Sequence, residues 1–308
     1  MKLKRTLAVM AIACAYAGAA MAGVVRDDEG TVYKPTGKGW GQIDLEKTQE
    51  LHGASMKARR STNLTLQGGP VMTAPKNVYY IWYGTWDSPS QALLTNLAQH
   101  IGGSPYFNIN TTYYNSAGTH VQNSVTYAGS TTNSGTLGKS LSDANIETIV
   151  SNAITSGALP SDANGIYFVL TDKSTTATSG FCTQYCGWHT NASIGGKDIK
   201  YAFIGDAETQ CPSACGATSP SPNNLPGADS MASIISHEME ESTTDPDGNA
   251  WYSTSSGNEN GDMCAWNFGT TSTASNGAAY NQTFGTTKYL IQQNWEIATT
   301  QHCAQHYP

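Results

Sequence analysis

Gly165-Ile166-Tyr167-Phe168-Val169-Leu170 decides the fold. It is an uninterrupted run of aromatic, aliphatic and β-branched residues, too short for a buried helix and suited to a strand covered on both faces. Val78-Tyr79-Tyr80-Ile81-Trp82-Tyr83, ending at Gly84, reads the same way, as does Tyr201-Ala202-Phe203-Ile204. Helical patterns lie between them. Ser88-Pro89 opens a helix through His100, with proline at an early position and Gly102-Gly103 as its stop. Ser142 caps a second helix to about Ser156, whose apolar stripe is Ile146, Ile149, Val150 and Ile154. Asn108 to Tyr114 and Val121 to Tyr127 are predicted strands, Asn249 to Gly285 is largely loop, and Lys288 to Gln293 is a closing strand. The pattern implies an α/β (or α+β) domain over residues 76–308, with a single mixed sheet covered by helices.

The chain has 308 residues and begins with the marks of export. Lys2, Lys4 and Arg5 precede an apolar stretch from Leu7 to Ala20, and Ala20-Met21-Ala22 is a small-x-small cleavage site, so residues 1–22 are predicted to be a signal peptide. Fourteen apolar residues fall short of a membrane span. Residues 23–75 read as an N-terminal extension or pro-segment, with a helix over Asp44 to Arg60 and a boundary near Arg59-Arg60. Cleavage leaves 13 Lys+Arg against 23 Asp+Glu, a formal charge of about −10, which argues against nucleic acid as a partner. The expected location is secreted, extracellular or periplasmic.

Six cysteines remain, at Cys182, Cys186, Cys211, Cys215, Cys264 and Cys303. An even number in an exported chain reads first as disulfides, with a zinc site from the two C-x3-C pairs as the alternative. Cys264 with Cys303 is the favoured pair, because the other four form a separate group.

The chemistry concentrates in His237-Glu238-Met239-Glu240-Glu241. On a helix, His237 and Glu241 are one turn apart on one face, the geometry of a zincin-like active-site helix with one histidine replaced by glutamate. Met231, Ile234 and Ile235 set a core-facing stripe that continues into Glu238 and then Glu241-Ser242, so an acid stands where burial expects an apolar residue. Asp229 can cap this helix. His237 and Glu241 supply two metal ligands, and Glu259 and Asp262, just before Cys264, are the first candidates for a third. Asp245 comes sooner, and Asp247 belongs to an Asp-Pro-Asp-Gly turn. Zinc is the first metal; an oxygen-rich set also suits calcium or manganese. Glu238 is the candidate general base, and His189 is the leading spare histidine for an oxyanion, against a plainer reading as a loop residue beside a disulfide. His302 and His306 read as surface residues. Glu238, Glu240 and Glu241 as an ordinary solvated face is the competing interpretation. Asp206 and Glu208 are weaker candidates for half of a glycosidase acid pair. The absence of G-x-S-x-G, GxGxxG and P-loop patterns leaves serine-hydrolase, dinucleotide and phosphate chemistry without an anchor.

Phe181-Cys182-x-x-x-Cys186-Gly187-x-His189 and Ile204-Gly205-x-x-Glu208-Thr209-Gln210-Cys211-Pro212-x-x-Cys215 resemble the phosphate-induced protein 1 or EXORDIUM family of secreted plant proteins. Ile81-Trp82-Tyr83-Gly84 and Leu137-Gly138-Lys139-Ser140-Leu141 fit it too, and the likeness spans roughly residues 78 to 305. The resemblance implies an exported, wall-associated protein without an assigned biochemical activity. The H-E-x-x-E motif, with Thr244-Asp245-Pro246, Asn249-Ala250-Trp251-Tyr252 and Glu259-x-Gly261-Asp262-x-Cys264, is expected to ally the chain with microbial members. Two functions follow from the sequence. One is an exported zinc-dependent hydrolase acting on protein or peptide. The other is a non-enzymatic extracellular protein that binds cell-wall polysaccharide or protein, its acids holding a structural ion or none. Trp82, Trp86, Trp188 and Trp251 are candidates for sugar stacking, though core positions suit most of them.

Overall fold

The computed structural model describes residues 63–216, 219–298 and 300–308, together with a short antiparallel pair, Val25–Arg26 against Val32–Tyr33. The signal peptide, the Asp44–Arg60 helix and the boundary near Arg59-Arg60 lie outside the described residues.

The deciding run forms the middle of the sheet. Five strands, β1 (Lys76–Tyr83), β2 (Val125–Asn133), β3 (Gly165–Thr171), β4 (Gly187–Ile194) and β5 (Lys197–Gly205), lie side by side in the order β2-β1-β3-β5-β4. The first three contacts are parallel and the last, β5 with β4, is antiparallel. Every residue of β3 is buried, which is why its sequence shows no polar alternation.

Helix α1 (Ser88–His100) carries the chain from β1 out to β2, and α2 (Asp143–Thr155) brings it back past β1 to β3. Right-handed crossovers running in opposite directions place these helices on opposite faces. The α2 start is a capping box: Ser142 accepts from Asn145 N, and the Asn145 side chain accepts from Ser142 N. Helix α3 (Pro226–Thr244) packs beside α1 and over β3, β4 and β5. Between β4 and β5, Gly195 (φ 60°) and Gly196 (φ 76°) make the two-residue turn with both residues left-handed that a tight hairpin requires.

Several expectations need correction. Asn108 to Tyr114 is no strand: Phe107–Thr112 is a 3-10 helix, in which the Thr111 and Thr112 hydroxyls donate back to the carbonyls of Asn108 and Ile109. The strand expected at Val121 to Tyr127 starts at Val125 and runs on to Asn133, held by parallel pairing with β1 and not by its own apolar residues. The closing strand shrinks to Thr287–Tyr289, because the Asn281 side chain takes over the peptide groups of Ile291. Helix α3 starts at Pro226, so Asp229 lies in its first turn and accepts from Asn223 and Leu225 ahead of it.

Three disulfides staple the loops to the core: Cys182–Cys211, Cys186–Cys215 and the favoured Cys264–Cys303. The C-x3-C sulfurs are therefore bonded to one another, not arranged around zinc. Trp82, Trp188 and Trp251 are buried, and Trp86 is half-buried. Among the described residues, no helix is long and apolar enough to cross a membrane.

Candidate metal centre

Helix α3 carries few apolar residues in its C-terminal half, yet Ser236 through Asp245 are all buried. Some of its polar side chains are satisfied within the helix. Ser236, Thr243 and Thr244 donate to carbonyls four residues back. The glutamates have no such outlet. Glu238, Glu240 and Glu241 are at most 1% exposed, so they are not a solvated face.

Three parts of the fold converge here. Helix α3 brings His237, Glu238 and Glu241. The turn before Cys264 brings Glu259 and Asp262, fixed by the Cys264–Cys303 bond and by Asp262 N donating to Glu241 Oε1 at 3.0 Å. Strand β4 brings His189, which is part of the sheet and not of a disulfide loop. His237 Nε2 lies 3.0 Å from Glu241 Oε1 and 3.7 Å from Asp262 Oδ1. His189 Nδ1 lies 3.4 Å from Glu238 Oε2 and 3.6 Å from Glu241 Oε2, while its Nε2 lies 3.6 Å from Glu259 Oε1. Donors bound tetrahedrally at about 2.0–2.2 Å from a zinc ion stand about 3.4 Å apart. These separations suit a ligand set as well as histidine–carboxylate ion pairs.

Two triads have one donor atom from each member within 4.8 Å of the others: His237, Glu241 and Asp262, and His189, Glu241 and Glu259. The predicted His237, Glu241 and Asp262 come together, and Glu259 joins by way of His189. Both nitrogens of His237, Glu241 Oε2, both oxygens of Glu259 and Asp262 Oδ1 are buried without a well-angled hydrogen bond. Buried polar atoms are normally paired, so this concentration of exceptions needs an explanation.

The acids and the two histidines perturb one another strongly. Burial pushes the Glu238 carboxyl up to about 7. Glu259 is held well above the usual carboxylate range by burial and by the charges of Glu241, Asp245 and Asp262. Glu241 stays ionised, pulled down to about 2 against its burial by His237 and His189. Burial would lower the His189 imidazole, but Glu238 and Glu241 bring it up to about 10. No arginine occurs from residue 61 onward. Among the described residues, the lysine ion pairs go to Glu208, Asp198 and Asp247, away from this cluster. Asp247 is a turn acid paired with Lys200, and Glu208 pairs with Lys173 near the surface.

A cavity of about 10 Å³ touches His237 and Glu238, bounded also by Gly187, Ile234, Trp266 and Gln292. That is room for one water. Gly261 closes the site over α3, since a Cβ there would meet Glu241 Oε1 at 2.9 Å and the His237 ring at 3.0 Å. Sequence reasoning undervalued His189 because β4 carries few apolar residues. The available signal was Gly195-Gly196, a hairpin turn that implies a strand on either side.

The model of the phosphate-induced protein 1 conserved region matches residues 64–306. The chain belongs to this family. It is 30% identical over 258 residues to Protein EXORDIUM-like 5 of Arabidopsis thaliana, covering 74% of this chain and 69% of that protein. Against Protein EXORDIUM-like 3 of the same plant it is 30% identical over 290 residues, 80% of this chain and 86% of the relative. Protein EXORDIUM itself is 36% identical over 131 residues, 38% of this chain and 39% of that protein. No solved structure matches the chain. The kinship with microbial members stays an expectation.

Proposed function

We propose that this family member is an exported, zinc-dependent hydrolase, with peptides as the first substrate class. One observation carries the reading: two histidines and several carboxylates are buried together, many of their polar atoms without a well-angled hydrogen bond, and among the described residues no lysine pairs with them. Stripping charges of water costs several kcal/mol per ion, and a divalent cation would offset what the two histidines do not balance. His237, Glu241 and Asp262 are the ligands. When bound, zinc supplies a Lewis acid that polarises a carbonyl and acidifies water. Glu238, beside the one-water cavity and 3.4 Å from His189, takes the water's proton and returns it to the leaving amine. The three disulfides fit an extracellular setting.

Burial itself favours a second reading, a structural ion in a non-enzymatic extracellular protein that binds wall polysaccharide or protein. The ligands are at most 8% exposed, and the cavity admits water but no peptide. Glu238→Gln in a casein-degradation assay, paired with metal analysis, separates the two. The hydrolase reading expects lost activity with the metal retained. Full activity in the variant, or no activity in metal-loaded wild type, sinks it.

A further inference from the structure

The two oxygens of Glu241 face different partners. Oε1 lies 3.0 Å from His237 Nε2 and Oε2 lies 3.6 Å from His189 Nδ1. The two triads share this one residue and are otherwise built alike, each adding a histidine and an acid from the turn before Cys264. From this geometry we propose that the protein holds two divalent cations bridged by the Glu241 carboxylate, the first at His237 and Asp262, the second at His189 and Glu259. The second site is assigned by neither the family match nor the motif, and it rests on the metal reading above.

The unpartnered atoms decide between one cation and two. A single ion at His237, Glu241 Oε1 and Asp262 leaves Glu241 Oε2 and Glu259 Oε1 buried with only His189, 3.6 Å from each, as a nitrogen neighbour and without a well-angled hydrogen bond. A second ion at His189 occupies them. The His189 ring is set for this role, because Nε2 lies 3.2 Å from the Asp245 carbonyl oxygen. An N–H donated there leaves the Nδ1 lone pair facing Glu241, the outer-shell arrangement by which metal-binding histidines are oriented, while Glu259 Oε1 lies on the Nε2 side of the ring at 3.6 Å. Charge favours two ions over one. Glu238, Glu241, Glu259 and Asp262 lie against these histidines, and Glu240 and Asp245 are buried beside them. With neutral imidazoles as ligands, two divalent cations offset more of this acidic charge than one. In paired-metal hydrolases the ions stand about 3.5–4 Å apart, a separation that one carboxylate spans.

Zinc content of the full chain, loaded with zinc salt and dialysed, tests this alongside manganese paramagnetic resonance of wild type. The expected ratio is two zinc ions per chain, falling to one in His189→Gln and to one in His237→Gln. Two manganese ions are expected to give an exchange-coupled spectrum. One zinc ion in wild type, with an isolated six-line manganese signal, overturns the pair while leaving a single site. No metal overturns both readings. The manganese spectrum needs only wild type, so it still decides if either variant fails to fold.

Discussion

His189 Nδ1 and Glu241 Oε2 stand 3.6 Å apart, so strand β4 and helix α3 meet through a histidine and a carboxylate where an apolar contact would be ordinary. Both residues are buried to within 3% of completely. A contact of this kind is stable only when its charge is balanced, and the predictions below follow from what balances it.

Glu259→Gln should act in opposite directions with and without metal. In the metal-free chain, Glu259 is crowded by the charges of Glu241, Asp245 and Asp262, and the isosteric amide relieves them. Thermal unfolding in excess chelator should therefore show a variant more stable than wild type, by about 1–3 kcal/mol. With zinc present the variant should lose part of its metal-induced stabilisation. A variant destabilised in chelator contradicts the account.

Gly261→Ala isolates steric crowding at the site. Gly261 has φ −66° and ψ −47°, which alanine adopts without strain, so only the new methyl matters. It would press on Glu241 Oε1 and the His237 ring. A loss of about 1–3 kcal/mol is expected in chemical denaturation, together with weaker zinc binding by competition with a chromophoric chelator. Unchanged zinc affinity would show that the turn does not cap the site.

Removing the Cys264–Cys303 bond by double serine substitution should loosen the turn that carries Glu259 and Asp262. The bond closes a loop of sequence separation 39. Constraint of the unfolded chain by such a loop is worth about 4 kcal/mol, and the midpoint of unfolding should fall accordingly. Zinc affinity should fall as well, whereas loss of stability with affinity intact would detach the disulfide from the site.

Lys76 gives a pH dependence far from the metal ligands. Its ammonium is buried, donates to the Gln122 carbonyl at 2.9 Å and lies over the Phe107 ring. Burial lowers it from 10.5 in the unfolded chain to about 7. Between those values the unfolded state binds the extra proton, so stability should rise as pH increases from about 7 to 10.5. Below that window both states are protonated and the burial penalty is present in full. Lys76→Met should flatten this rise in denaturation midpoints measured at pH 6, 8 and 10. An identical slope in the variant rules Lys76 out as its cause.

The sheet was legible wherever strands are buried on both faces, as in β1, β3 and β5, because their residues are apolar throughout. Strands β2 and β4 were less so: they lie at the sheet edges and take their conformation from a neighbour's peptide groups. The same difference decided the site. His237 and Glu241 stand on one helix and Asp262 a short way downstream before Cys264, so spacing could connect them. His189 reaches them only through the β4–β5 hairpin and the packing of α3 on the sheet, a relationship between distant parts of the chain that no local pattern contains.

The most direct test is the metal content of purified wild type and Glu241→Gln, each loaded with zinc, dialysed and analysed by elemental mass spectrometry. Glu241 belongs to both triads. Retained zinc in wild type and its loss in the folded variant is the predicted result. Wild type that retains no zinc, manganese or calcium after loading would contradict the central claim, leaving the buried cluster balanced by protons alone.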